Sequence, residues 1–259
     1  MNKAVQVTLI ANAGVLFEYQ GIRVLVDGLH HETSSEFSPV PTEYLAAAAK
    51  GRGPLKDAEY LLFTHLHPDH FSQSCLLEYI QGNPVKGVYL PVMEANRTRS
   101  CMNRAVTGAA VYHDLRDMRM QTRSFILQDG FQLTSLRAPH MAWRKNPRLD
   151  CDNYCFILTA GQDNYVFVGD CECDAKTLSF LETISIRAVF VNPIFFHLAE
   201  GQEILQKLIS PEQVVIYHLP FLAGDTTAYN RIAARDSIRY ADRFPDTVLL
   251  NRRGQTLLL

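Results

Sequence analysis

The stretch Thr64-His65-Leu66-His67-Pro68-Asp69-His70 puts three imidazoles and a carboxylate within six residues, directly after the apolar run Tyr60-Leu61-Leu62-Phe63. Residues 59–64 are short, apolar and without alternation, the pattern of a buried strand. His65 and His67, two apart, then leave the strand end on the same side and can share one ion. Pro68 stops the strand, so Asp69 and His70 fall on the turn into a helix expected at residues 73–80, where they point elsewhere and suit a second ion. Neutral imidazole and carboxylate are the ligands that zinc, manganese or iron(II) accept. The competing reading is a chance cluster of surface histidines, and a pattern this long argues against it.

The 259 residues can bury a large core as one domain, 1–259, although two small domains are also compatible with the length. Hydrophobic residues at 47% and charged residues at 20% are ordinary for a soluble globular protein, and a formal charge of -2 calls for no polyanionic partner. The opening residues lack the apolar core of a signal peptide, and no run approaches the roughly 20 apolar residues of a membrane span. A cytoplasmic protein is therefore expected. Its six cysteines, at 75, 101, 151, 155, 171 and 173, are then expected as free thiols.

Outward from the histidine motif, three strands are expected at residues 5–10, 15–19 and 22–26, broken at Asn12-Ala13-Gly14 and Gln20-Gly21. They lead to Asp27-Gly28-Leu29-His30-His31. A short helix is expected over residues 42–50. After the helix at 73–80 comes a strand at 87–90, then an arginine-bearing excursion over 91–122 with weak periodicity. Hairpins are expected at 125–137 and 154–169, around Asp129-Gly130 and Gly161. Helices at 175–184, 200–209 and 226–244 then alternate with strands at 188–191, 214–217 and 248–250. Strand-rich stretches followed by helices, appearing twice, predict two sheets with helices outside.

Four groups are too few for two ions. His140, Asp170 and His218 each follow an apolar run, so each is expected to emerge beyond a strand, where loops gather. The order Asp27, His65-x-His67-x-Asp69-His70, His140, Phe167-Val168-Gly169-Asp170 and His218 resembles the metallo-β-lactamase-fold hydrolase superfamily across residues 5–218. The resemblance implies an α/β (α+β) fold, a four-layer αββα sandwich of two mixed sheets flanked by helices. It implies that His65, His67 and His140 hold one metal, that Asp69, His70 and His218 hold the other, and that Asp170 bridges both. Asp27 would orient ligands without binding metal. Cys171, beside Asp170, reads as a buried inert thiol.

Two divalent ions, zinc first and manganese or iron as alternatives, would supply a metal-bound hydroxide, with Asp69 and Asp170 as the catalytic carboxylates. A site left net positive favours a small anionic ester, lactone or phosphodiester. The basic loop Trp143, Arg144, Lys145, Arg148 either anchors that anion or is an ordinary exposed loop. His30 is a further candidate for substrate contact, whereas His31 reads better as a solvated loop residue. His197 either lines the pocket or simply precedes a helix.

Among relatives, Gln73 stands where many thioesterase-like, lactonase-like and tRNA-processing members carry glycine. The short interval from Asp170 to His218 leaves no room for the inserted domain of endonucleolytic RNases. Oxygen-reducing diiron members usually place Glu where His67 stands. A dinuclear hydrolase is the leading reading. An iron-dependent oxidoreductase on the same ligands and a small nuclease or phosphodiesterase are the alternatives. A small molecule is the expected partner, neither membrane nor nucleic acid is favoured, and a homo-oligomer is left open.

Overall fold

Gln20 and Gly21 both have positive φ, 52° and 84°, as required of a two-residue hairpin turn whose twist matches the strands it joins. It links β2 (Val15–Tyr19) to β3 (Ile22–Val26), and β1 (Gln6–Leu9) pairs antiparallel with β2. The computed structural model to which these elements belong describes residues 4–31, 36–91, 111–117, 122–141 and 152–259. Its described residues fall into two compact units, one of residues 3–117 with 253–258, the other of residues 118–252.

The first unit is built on a mixed seven-stranded sheet. Beyond β3 run β4 (Tyr60–Leu62), β5 (Gly87–Leu90) and β6 (Val111–Asp114), all parallel, while the last strand of the chain, β14 (Thr256–Leu258), pairs antiparallel with β1. Helices α1 (Thr42–Ala48) and α2 (Gln73–Gly82) lie in the crossovers from β3 to β4 and from β4 to β5. Ala48, Leu76 and Tyr79 from these helices pack with Leu16, Leu25, Leu61, Val88 and Leu90 from the strands. Ser72 caps α2, accepting from the Cys75 amide at 3.5 Å. Gly14 closes the β1–β2 turn against the loop after β3, where a Cβ would meet the Asp27 carbonyl oxygen and the Gly28 Cα at 3.0 Å.

The second unit has its own mixed seven-stranded sheet. Strands β7 (Thr122–Gln128), β8 (Phe131–Pro139), β9 (Asp152–Ala160) and β10 (Asp163–Phe167) run antiparallel, turning at Gly130 (φ 69°) and Gly161 (φ 67°). Parallel strands β11 (Ala188–Val191), β12 (Gln213–Ile216) and β13 (Thr247–Leu249) continue it. Helices α3 (Ala175–Leu178), α4 (Pro193–His197), α5 (Ala199–Ile204) and α6 (Tyr229–Arg239) intervene in the chain. Leu178, Phe195, Phe196, Ile204 and Ala233 from these helices pack against Val166, Val189, Val191 and Ile216. Both sheets thus share one order, an antiparallel meander followed by parallel strands. The carboxylates Asp27 and Asp170 come after the corresponding strands, β3 and β10.

Several expectations shift in detail. The helix expected over 175–184 is α-helical only to Leu178 and continues as a 3-10 stretch over Ser179–Thr183. The last long helix starts at Tyr229 instead of 226, because Asp225 Oδ1 accepts from Thr227 N (2.7 Å) and Thr227 Oγ1 (2.6 Å), a local turn that competes with helix. Of the 91–122 excursion, the described part forms β6 and a 3-10 turn, Leu115–Asp117. Helix α4 and strand β14 were not expected. Their signals were slight: Asn192-Pro193 is an N-cap with proline at the first helical position, and β14 is three residues long.

Where α4 meets α5, a Cβ on Gly201 would lie 1.9 Å from the Phe195 carbonyl oxygen. Gly201→Ala is therefore expected to destabilise the protein by about 1–3 kcal/mol through overpacking. The measurement is the urea midpoint, and an unchanged midpoint would mean that the helix junction yields freely.

Candidate metal centre

Strand β4 ends at Leu62, earlier than the sequence pattern suggests, and the histidine motif occupies the loop that follows. The loop folds back on itself, with His70 N and Phe71 N both donating to the His67 carbonyl (3.0 and 2.9 Å). His65, Asp69 and His70 are buried and His67 is half-buried. The ligand atoms of His65 and His67 lie within 4.8 Å of one another, and His70 Nε2 is 3.4 Å from Asp69 Oδ2. The pairings expected from the sequence, His65 with His67 and Asp69 with His70, are therefore close in space.

Beneath them lies Asp27, wholly buried just beyond the neighbouring parallel strand β3 and held at φ 48°. Its Oδ1 accepts from Thr64 N (2.8 Å), and its Oδ2 accepts from Thr64 Oγ1 (2.7 Å) and from His70 Nδ1 (3.0 Å). Having spent its proton on Asp27, the Thr64 hydroxyl accepts from His65 Nδ1 at 3.1 Å. One carboxylate thus fixes the Nδ1–H tautomer of two imidazoles and leaves both Nε2 lone pairs for a cation. Burial works to lower the His70 pKa, but the charges of Asp69 and then Asp27 outweigh it and hold His70 well above the ordinary imidazole value. This environment asks for positive charge.

In the second unit, Asp170 follows β10, and its two oxygens face different imidazoles. Oδ2 is 3.6 Å from His140 Nε2 and Oδ1 is 3.6 Å from His218 Nε2. Two nitrogens and two oxygens at such distances are too far apart for hydrogen bonds and leave room for an ion on each side. The donor set accordingly fits one divalent ion per oxygen. Asp170 is placed by its neighbours: Asn153 Oδ1 accepts from its amide (3.0 Å), and its carbonyl accepts from Met141 N (2.6 Å). His140 itself forms an isolated antiparallel bridge with Cys171. His218 has a φ of 56°, uncommon for a residue with a Cβ and the kind of strain found at functional sites.

Cys75, Cys155, Cys171 and Cys173 are free thiols among the described residues. A hydrogen bond with Cys155, and then burial, hold the Cys171 thiol well above its ordinary value. Burial, with the charges of Glu200 and Glu172, pushes Cys173 up to about 12. Neither supplies a thiolate at neutral pH.

The other candidate residues lie differently. His30 has no exposed surface, and Leu29 beside it is stitched to the segment after the histidine motif by a bridge to Phe71 and a bond from Ser72 N (2.8 Å). His31 is exposed, 3.4 Å from Cys75 Sγ. His197 sits at the far end of α4 from Asn192, and its Nδ1 is 2.5 Å from Asp236 Oδ2 on α6. It ties two helices together. Trp143, Arg144 and Lys145 lie outside the described residues. Thr64, Asn153 and Asn192 were not singled out from the sequence. Only their contacts with Asp27 and Asp170 reveal their place.

Two mixed seven-stranded sheets with helices, and with imidazoles and carboxylates in the loops beyond their strands, are the α/β architecture of the metallo-β-lactamase fold, and the chain has that fold. No family model matches the sequence, and no curated protein matches it. Among solved structures, the chain is similar to the metallo-β-lactamase fold protein YhfI from Bacillus subtilis, at 14% identity and a TM-score of 0.65, over 99% of this chain and 100% of the other. It is similar to Igni18, a metallo hydrolase from the hyperthermophilic archaeon Ignicoccus hospitalis, at 14% identity and a TM-score of 0.62, over 99% and 98% of the two chains. It is also similar to CmlA, a diiron β-hydroxylase from Streptomyces venezuelae, at 15% identity and a TM-score of 0.60, over 100% of this chain but 54% of the other. Among the described residues, no helix is long and apolar enough to cross a membrane.

Proposed function

We propose that the chain is a dinuclear metal-dependent hydrolase acting on a small anionic ester, lactone or phosphodiester. One observation carries the proposal: the two oxygens of Asp170 each face a different imidazole at 3.6 Å, as a carboxylate shared by two ions must. In this reading His65, His67 and His140 hold one ion, Asp69, His70 and His218 hold the other, and Asp170 serves both. Bound divalent ions supply water activation near neutral pH and polarisation of a carbonyl or phosphoryl oxygen.

The chain's own residues do the rest. Asp27 and Thr64 present His65 and His70 through Nε2, and Asp69 and Asp170 are the carboxylates nearest the reacting atoms. These two anions balance only part of the charge of two divalent ions, which favours an anionic substrate. Imidazole and carboxylate donors support zinc, with manganese and iron as alternatives. The free thiols support a reducing, cytoplasmic setting.

The similarity to a diiron β-hydroxylase keeps an iron-dependent oxidoreductase as the second reading. Elemental analysis of protein purified without added metal separates the two. About two zinc or manganese ions per chain, lost in a His70→Ala, Asp170→Ala double variant, support the hydrolase. Predominant iron would move the assignment to the oxidoreductase, and no metal in the wild type even after reconstitution would overturn both.

A further inference from the structure

Asn192, directly after β11, is buried and makes contacts in two directions. Its side-chain oxygen accepts from Phe195 N at 2.8 Å and caps α4, while its amide nitrogen donates to the Gly169 carbonyl (3.1 Å) and to Asp170 Oδ1 (3.2 Å). The cap settles which way the amide lies: with its oxygen committed to the helix, the NH2 faces Asp170. The oxygen it grips is the one that faces His218 Nε2. A carboxylate turns easily about its last torsion. Held by the amide, it presents Oδ1 to His218 and Oδ2 to His140.

The first unit uses the same arrangement. Thr64, just beyond β4, grips Asp27, just beyond the parallel neighbour β3. Asn192, just beyond β11, grips Asp170 beyond the parallel neighbour β10. In each sheet a residue that follows one parallel strand fixes the carboxylate that follows the next.

From this geometry we infer that Asn192 is a positioning residue: it holds Asp170 in its bridging orientation and sets the affinity for the ion on the His218 side. The inference rests on the dinuclear reading proposed above. Losing the amide leaves the residues assigned to both ions in place but frees Asp170 Oδ1 to turn away from His218.

The test uses two variants that retain a helix cap. Asn192→Asp keeps the accepting oxygen and puts an anion where the amide donor stood, and Asn192→Ser caps with a shorter side chain. Apoprotein is titrated with zinc against a chromophoric chelator, and separately with cobalt(II), following its absorption spectrum. Thermal melting checks folding. Both variants are expected to bind one ion as the wild type does and the second about 10–100-fold more weakly. The cobalt spectrum should show the second ion filling late. Two ions bound with wild-type affinity in either folded variant, or equal weakening of both ions, would overturn the inference. A wild-type protein that takes up no zinc or cobalt would overturn the dinuclear reading itself, a result seen before any variant is compared.

Discussion

Replacing Asp170 by alanine is expected to cut kcat/KM by on the order of a thousandfold, about 4 kcal/mol of transition-state stabilisation, and to drop ion content below two per chain. The size follows from position. This carboxylate faces both His140 and His218, so in the proposed centre its loss would remove charge from both ions at once. Folding is expected to survive, because the surrounding frame is made by other groups: Asn153 holds the backbone at residues 168 and 170, and Asn192 holds the Gly169 carbonyl. Asp170→Asn keeps the shape and removes the charge, turning an NH2 towards one imidazole. Elemental analysis of the two variants, beside kinetics on a substrate of the proposed classes that the wild type is found to turn over, gives the answer. A folded alanine variant that still carries two ions would sink the bridging role.

Asp27→Ala is expected to damage stability more than any substitution among the ligands. Asp27 is wholly buried and accepts from Thr64 N, Thr64 Oγ1 and His70 Nδ1. Deleting it strands three buried donors, and breaking a buried charged pair of this kind costs about 3–5 kcal/mol. Alanine also tolerates a φ of 48° less well than aspartate does. The melting temperature should fall by roughly 10 °C for a chain of this size. Metal affinity should fall about 10–100-fold as His65 and His70 lose their fixed tautomers. Differential scanning calorimetry and chelator competition read the two effects separately. A melting temperature within about 2 °C of wild type would show that Asp27 does not anchor the buried donors around it.

Much of this could be read from residue order. Strands β2 and β3 lie where the turn residues put them, because Gln20-Gly21 punctuates the chain, and β5 and β11 coincide with the short apolar runs expected as strands. The histidine motif was legible because its polar groups crowd a loop after an apolar strand. Asp170 and His218 were legible because each follows such a strand. Thr64, Asn153 and Asn192 were not, since a single polar residue carries no signal of what the neighbouring strand brings beside it. Asn192 contacts Asp170 only because β10 and β11 pair in parallel, with Phe167 opposite Phe190. The contact of His197 was hidden for a similar reason: its partner, Asp236, is 39 residues away on α6. The short β14 depends wholly on β1 for its existence, and three residues of local pattern cannot announce that.

That last pairing governs how the protein is made. β1 meets a strand encoded at the opposite end of the chain, with Leu9 N bonded to the Gln255 carbonyl at 2.9 Å and Leu258 opposite Gln6. During synthesis, every strand of the second sheet leaves the ribosome before the outermost strand of the first. Until then β1 is an open edge, able to pair with another nascent chain. Closing so long a loop is among the slower steps available to a domain of this kind. The first unit, which carries most of the histidines of the proposed centre, is therefore begun early and completed late.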